Sequence, residues 1–298
     1  MNTRDLPTFT GPNLTGELQL SFLPHIVRRD LHVVRVEAIT PRYRRIVLTG
    51  DDLADGFPYL PFTPADHVKV YFPHPETGAL VAYRQVGPPE DEEWEVDVEG
   101  GEPIRRDYTV RGFDPETREL VIDFVVHDHG VAGVWAGNAR PGHQVVVMGP
   151  RANWLMPENY GHYLALGDET ALPAIARIIE DAPEGSAVTA MVEVADAAEE
   201  QPLSPAPGVA LDLRWVHRDT APVAPGHLSA LETAAREFDL PQDLTDLYVF
   251  AAGEAGAIKP IRRYLRREVG LPKRQTHIDG YWKRGEVDHD HHVEDDEE

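Results

Sequence analysis

The chain has 298 residues, a formal net charge of -23 at pH 7 and no cysteine. That length suits one or two domains with an ample core. The missing cysteines exclude disulfides, thiolate redox chemistry and Cys-ligated zinc or iron–sulfur clusters. The charge argues against nucleic acid or an anionic membrane as partner. No apolar run is long enough to span a bilayer, so no membrane insertion is expected. Residues 1–24 lack the charged-then-apolar pattern of a secretory leader, and a cytoplasmic protein is the expectation.

In chain order, residues 1–27 read as a loose extension rich in Thr, Pro, Gly and Asn. Alternation at 31–39, a turn at Pro41-Arg42-Tyr43 and a run at 45–49 predict two antiparallel strands. Another strand is expected at 66–72, with His67, Lys69 and Tyr71 on one face. The stretch 76–104 reads as a long acidic loop, since 90–102 alone holds eight carboxylates and no base. Strands at 105–111 and 120–126 flank a turn at Phe113-Asp114-Pro115. A small-residue loop then enters a short helix near Val131, followed by a Pro-Gly turn and a strand at 144–148. About six antiparallel strands with short turns suggest a small β-barrel.

After Arg151 the rhythm changes. Strands are predicted at 163–167, 187–194, 209–216 and 246–252, with a final strand or turn at 276–282. Helices are predicted at 171–181, 229–238 and 257–268. Thr170 is a plausible cap for the first of these, with Pro173 in its first turn. Alternating strands and helices give a parallel α/β sheet. The expected division is 28–155 for the barrel domain, 156–285 for the α/β domain and 286–298 for an acidic, His-containing tail.

In an extended strand Arg106 and Tyr108 share one face, while Thr109 points away and offers its backbone amide. A cation for a phosphate, an aromatic face for a ring and a small donor for a ring edge are what a flavin requires. A hairpin edge with a solvated Arg has the same short pattern. Gly130, Ala132 and Gly133 precede or open a helix, whose amides and dipole suit a pyrophosphate. Gly167-Asp168-Glu169-Thr170 ends a strand and opens a helix, the place where parallel sheets bind ligands. There is no G-x-G-x-x-G fingerprint. Residues 259–284 carry nine Lys or Arg against Glu268 and Asp279, which suggests an anionic small ligand or a solvated helix face. Asp288-His289-Asp290-His291-His292 holds suitable ligands for a divalent metal, but a disordered acidic tail is the favoured reading. No metal site and no catalytic acid or nucleophile are expected.

Arg106-Asp107-Tyr108-Thr109, the loop 127–136, Gly149-Pro150-Arg151, the run 167–174 and Gly280-Tyr281-Trp282-Lys283-Arg284-Gly285 occur in a specific order. Asp66-His67-Val68-Lys69 and the run 253–259 fit the same pattern. Through these motifs, from about residue 31 to 285, the chain resembles the siderophore-interacting proteins. These are flavin-dependent ferric-siderophore reductases of the ferredoxin-NADP reductase superfamily. The resemblance implies an α+β two-domain protein, with an antiparallel FAD-binding β-barrel followed by an α/β parallel-sheet domain. It implies FAD held by Arg106, Asp107, Tyr108, Thr109, His127, Gly130, Ala132, Gly133 and Trp135, with Thr170 and Trp282 contributed by the second domain. It implies a ferric siderophore held by Lys69 and Arg151, and by His277 where some members carry Arg. Lys259, Arg263 and Lys283 could compensate for that histidine. Electrons would come from NADH, NADPH or a ferredoxin, in a monomer. The acids Glu193, Asp196, Glu199 and Glu200 sit where the resemblance places a nucleotide. They would repel a 2′-phosphate and favour NADH, or simply form a solvated loop. The alternatives are a general NAD(P)H-flavin reductase or diaphorase, and a non-enzymatic siderophore-binding protein.

Overall fold

The structure is a computed structural model that describes residues 11–218 and 228–286, without the Glu90 side chain. The chain divides into two units, one built on residues 19–155 and the other on 12–18 and 156 onward.

The first unit contains β1 (Gln19–Phe22), β2 (Arg28–Thr40), β3 (Tyr43–Thr49), β4 (His67–Phe72), β5 (Tyr83–Gln85) and β6 (Trp94–Val96). It continues with β7 (Ile104–Thr109), β8 (Gly112–Asp114), β9 (Glu119–Val125), α1 (Val131–Asn138), β10 (Gln144–Met148) and β11 (Ala152–Leu155). Seven strands form one antiparallel sheet in the order β7-β4-β10-β2-β3-β9-β8. Alternate residues turn inward, so Leu31, Val33, Val68, Val70, Leu120, Ile122, Phe124, Val145 and Val147 share one core. The sheet curls until β7 meets β9, which is not its neighbour: the Tyr108 and Phe124 ring centroids lie 4.3 Å apart. Ala132, Ala136 and Trp135 of α1 pack on the same core. The expected antiparallel barrel is therefore present.

Two expectations for this region are corrected. The acidic stretch 76–104 is not a featureless loop. Within it β5 and β6 pair as a hairpin, and Tyr83 and Trp94 pack with Leu80 against Tyr71, Val146 and Met148 on the outside of the barrel wall. Each strand is only three residues long, so one aromatic per strand had to carry the signal among many carboxylates. Likewise the described part of the extension is not loose. Strand β1 pairs with β11, and Asn13, 3% exposed, donates to the Glu17 carbonyl and through its backbone to Glu158. Tyr160 donates to the Gly16 carbonyl at 2.7 Å.

The second unit contains β12 (His162–Asp168), α2 (Leu172–Asp181), β13 (Ala187–Val194), β14 (Ala210–His217), α3 (Ala230–Glu237), β15 (Leu247–Glu254), α4 (Ala255–Arg263) and β16 (Thr276–Trp282). Its five strands are all parallel, in the order β14-β13-β12-β15-β16. The central strands β12 and β15 are covered on both faces, which is why they read as unbroken apolar runs. Edge strand β14 alternates instead. Ser229 caps α3 and Glu254 caps α4 through their side chains. The expected helix at 257–268 starts earlier, at Ala255, and its end widens into a π turn over Tyr264–Glu268. The expected α/β domain is present. No described helix is long and apolar enough to cross a membrane. The tail at 287–298, with its His-Asp cluster, lies outside the described residues.

On the outer face of the barrel Arg45 lies directly opposite Asp123 and donates to both its oxygens at 2.8 Å, while Arg111 stands 3.8 Å away. The Asp123 side chain is 2% exposed, so removing it strands a half-buried guanidinium. Asp123→Ala is expected to lower stability by about 3 kcal/mol, measurable as a shift in the urea midpoint at unchanged slope.

Candidate functional site

Strand β7 sorts its side chains onto two surfaces. Its register with β4 sets Tyr108 opposite Val68 and Arg106 opposite Val70, and both valines are core. Arg106 and Tyr108 therefore face inward, and Arg105 and Asp107 outward. Thr109 is buried opposite His67. Tyr108 is half-buried, and the protein around its phenol pushes that group's pKa up. Around it stand Phe72, Phe124 and Trp135. The Trp135 ring lies 5.2 Å from Phe72 and 5.7 Å from Phe124. The result is an aromatic wall whose outermost members, Tyr108 and Trp135, keep part of their surface accessible.

Helix α1 supplies the second element. Its N-cap is Gly130 at φ 75°, a conformation that favours glycine. No side chain caps this helix and no acid lies in its first turn, so its leading amides keep their donors for a ligand. A Cβ on Gly133 would sit 2.7 Å from the His127 imidazole, so the exposed ring lies against bare helix backbone. Shielding there, with His129 nearby, holds the His127 pKa below its ordinary value. One half-buried guanidinium, an aromatic wall and an uncapped helix start fit FAD.

The other barrel residues singled out from sequence lie elsewhere. Lys69 and Asp107 share the outward face and bind each other, with Nζ at 2.8 and 2.9 Å from the two carboxylate oxygens. Arg151 pairs with Glu92 of the acidic insertion. These residues belong to the surface that carries the insertion hairpin, so Asp107 is not on the Arg106–Tyr108 face.

In the second unit the residues of interest collect at the carboxyl ends of the parallel strands, where ligands of such sheets bind. Asp168, 5% exposed, ends β12. Its Oδ1 accepts from the Thr170 amide and hydroxyl at 2.8 and 2.5 Å. Its Oδ2 accepts from the Glu254 amide and the Trp282 indole, each at 2.9 Å. Thr170 is therefore not the cap of α2: Ala171 holds that position, with no side-chain bond. Trp282 is half-buried and anchored by its indole nitrogen.

His277 is corrected outright. It is 7% exposed, and its ring stands edge-on to Phe250 at 5.5 Å, so it is a core histidine and not a substrate clamp. Lys259 and Arg263 are exposed one turn apart on α4, and Lys283 is exposed and paired with Glu286. Asp168 and Arg218 were not singled out as candidates from sequence. Asp168 lies within the Gly167–Thr170 segment at the strand end. Arg218 bonds Glu193 and Glu169, 25 and 49 residues away, a pairing that no local pattern signals.

Burial and the neighbouring Glu169 push the Asp168 carboxyl up, against the pull of its Thr170 and Trp282 bonds. Of its four donors, the Thr170 hydroxyl alone can turn and accept the proton. A raised folded-state pKa means the native state holds the proton more tightly than the unfolded chain. Stability from this group is full below the ordinary carboxylate range and is lost as pH rises through it toward the folded value. Urea unfolding across pH should show that loss in wild type relative to Asp168→Asn. The substitution should also cost about 1–3 kcal/mol at low pH, because an amide NH₂ faces a backbone N–H.

Residues 32–154 match the family described as Siderophore-interacting FAD-binding domain, and residues 160–285 match Siderophore-interacting protein. The Escherichia coli NADPH-dependent ferric-chelate reductase is 34% identical over 257 residues, covering 85% of this chain and 92% of that protein. The ferric vibriobactin reductase of Vibrio cholerae is 32% identical over 267 residues, covering 89% and 93%. The crystal structure of a siderophore utilization protein from T. fusca superposes with a TM-score of 0.81 at 44% identity, covering 93% of this chain and all of that one. A ferredoxin reductase at 16% identity and TM-score 0.58 shares the fold alone. With both of its units matched in order, and relatives aligned over nearly their full length, the chain belongs to the siderophore-interacting protein family, on a ferredoxin reductase-like fold.

Proposed function

We propose that this protein reduces ferric siderophores, Fe(III) to Fe(II), with FAD as its resident cofactor and a reduced nicotinamide nucleotide as electron donor. The observation that carries the reading is the alignment of Arg106 and Tyr108 on the inner face of β7, with the uncapped start of α1 in the same unit. Membership of the family and the named activities of the E. coli and V. cholerae relatives support it. Arg106 would grip a phosphate, the α1 amides the pyrophosphate, and Tyr108 and Trp135 would cover the flavin ring. Bound FAD supplies the conversion of a two-electron donor into one-electron reduction of iron. Ferrous iron is held far more weakly by a siderophore, so reduction releases it.

The anionic chelate would dock on Lys69 and Arg151. Arg151 is exposed and Lys69 partly so, and both are already paired, with Glu92 and Asp107. Exposed pairs contribute only about 0–1 kcal/mol, so a chelate carboxylate or catecholate can replace the protein's acid at little cost. Lys259, Arg263 and Lys283 provide further exposed cations on the second unit. The same reading makes the protein a cytoplasmic monomer, with ferredoxin as an alternative donor.

The purified protein reconstituted with FAD should be yellow, should bleach with reductant and should be reoxidised by a ferric siderophore. Flavin that stays reduced in the presence of the chelate, yet turns over free flavin or dyes, would instead make it a general flavin reductase. Arg106→Ala should weaken FAD binding by about tenfold or more, read by fluorescence titration. Lys69→Ala and Arg151→Ala should each raise KM for the ferric chelate by about tenfold, or ~1.4 kcal/mol, with KM for the nucleotide unchanged.

A further inference from the structure

A guanidinium at the strand ends of the second unit bears on which nucleotide is used. Arg218 directly follows β14, and its amide donates to the Val194 carbonyl at 2.8 Å, so it stands beside the end of β13. Its Nε donates to Glu193 at 2.9 Å, and its two terminal nitrogens donate to the two oxygens of Glu169. All three nitrogens of the fork are thus engaged by carboxylates. Glu193 is the penultimate residue of β13 and Glu169 follows β12, so the network ties together the carboxyl ends of three adjacent parallel strands. The side chains are 33%, 20% and 13% exposed for Arg218, Glu169 and Glu193, which limits solvent screening.

The described residues between β13 and β14 add carboxylates and no Lys or Arg. Asp196, Glu199 and Glu200 follow β13, and Glu200 is bonded to His217 at 2.8 Å. Between Arg177 and Arg214 the sequence has no Lys or Arg, and after Arg218 there is none before Arg236. Among the described residues, Arg218 is therefore the one Lys or Arg in the segments that follow β12, β13 and β14.

In parallel α/β sheets a nucleotide lies across these strand ends. An acid after the second strand takes the ribose 2′-hydroxyl, whereas a 2′-phosphate needs an available Arg. A phosphate monoester carries nearly two charges at neutral pH. Here it would meet two carboxylates around one guanidinium, a group of net charge -1, and would have to expel one of them. A ribose hydroxyl donates to Glu193 or Glu169 without breaking the fork.

We infer that the Glu169–Arg218–Glu193 network makes this protein select NADH over NADPH, with the two carboxylates excluding the 2′-phosphate. The inference rests on the proposed reductase reading for the presence of a nucleotide site. It sets the chain apart from its E. coli relative, which is named as NADPH-dependent.

The test has a binding arm and a turnover arm. Calorimetric titration of the FAD-loaded protein with NAD⁺ and NADP⁺ should give at least about tenfold tighter binding of NAD⁺, the scale expected for one added like-charge contact near a protein surface. The ratio of kcat/KM for NADH and NADPH, with a ferric chelate as acceptor, should follow. Glu193→Gln and Glu169→Gln release Arg218 and should each move the NADP⁺/NAD⁺ binding ratio toward NADP⁺ by about tenfold. A merely structural network would lower the melting temperature of these variants and leave the ratio where it was. Equal binding of the two nucleotides, preference for NADP⁺ in wild type, or a ratio unmoved in both variants overturns the inference. If neither nucleotide binds, the inference also falls. Iron reduction by dithionite-reduced protein then decides separately whether the reductase reading stands.

Discussion

The pleat of one strand organises the first unit. Side chains of β7 alternate, so four consecutive residues serve two surfaces: Arg106 and Tyr108 inside, Arg105 and Asp107 outside. The inner pair depends on the curl of the whole sheet, because the aromatic wall forms only when β9 and α1 are brought against β7. Of the outer pair, Arg105 meets the acidic insertion and Asp107 meets β4. The Arg105 guanidinium lies 5.9 Å from the centre of the Tyr83 ring, and Asp107 neutralises Lys69. A slip of one residue between β4 and β7 would exchange the two sets and put the Asp107 carboxylate on the inner face in place of the Arg106 guanidinium.

The second unit works by a different rule. A parallel sheet leaves its strand ends as the place where loops meet, and buried carboxylates there act as hubs. Asp168 gathers the start of the segment after β12, the end of β15 and the indole from the end of β16. Arg218 gathers the ends of β12, β13 and β14. The two hubs are adjacent in sequence through Asp168 and Glu169, so one dipeptide ties together the carboxyl edge of the sheet. Such desolvated networks are worth keeping only if every member is satisfied. Asp168, with four donors on two oxygens, meets that condition.

Much of the fold was legible because periodicity and burial agree. The strands predicted at 187–194 and 144–148 coincide with the observed limits, since each is a mostly apolar, Val-rich run between turn residues. The elements that were missed are short or polar: β1, β5, β6, β8 and β11 have three or four residues each. Strands of that length are held by pairing and by what they cover, and neither leaves a pattern in the chain. Of the candidate site, the Arg106–Thr109 segment and the glycine loop could be found from residue type and spacing. The burial of His277 could not, because a histidine on an edge strand such as β16 looks the same in sequence whether its ring is solvated or packed against Phe250.

Sequence alone determined the two-part architecture and the absence of cysteine chemistry, and it singled out candidate segments for a flavin, because these follow from local periodicity and composition. Tertiary structure decided which charges remain available. Lys69, Arg151 and Arg218 are equivalent cations in the sequence, and only the fold gives each its carboxylate: Asp107 across a strand pair, Glu92 from the insertion, and Glu169 with Glu193 from neighbouring strand ends. Electrostatic partnership is a matter of distance in space, and separation along the chain carries no information about it.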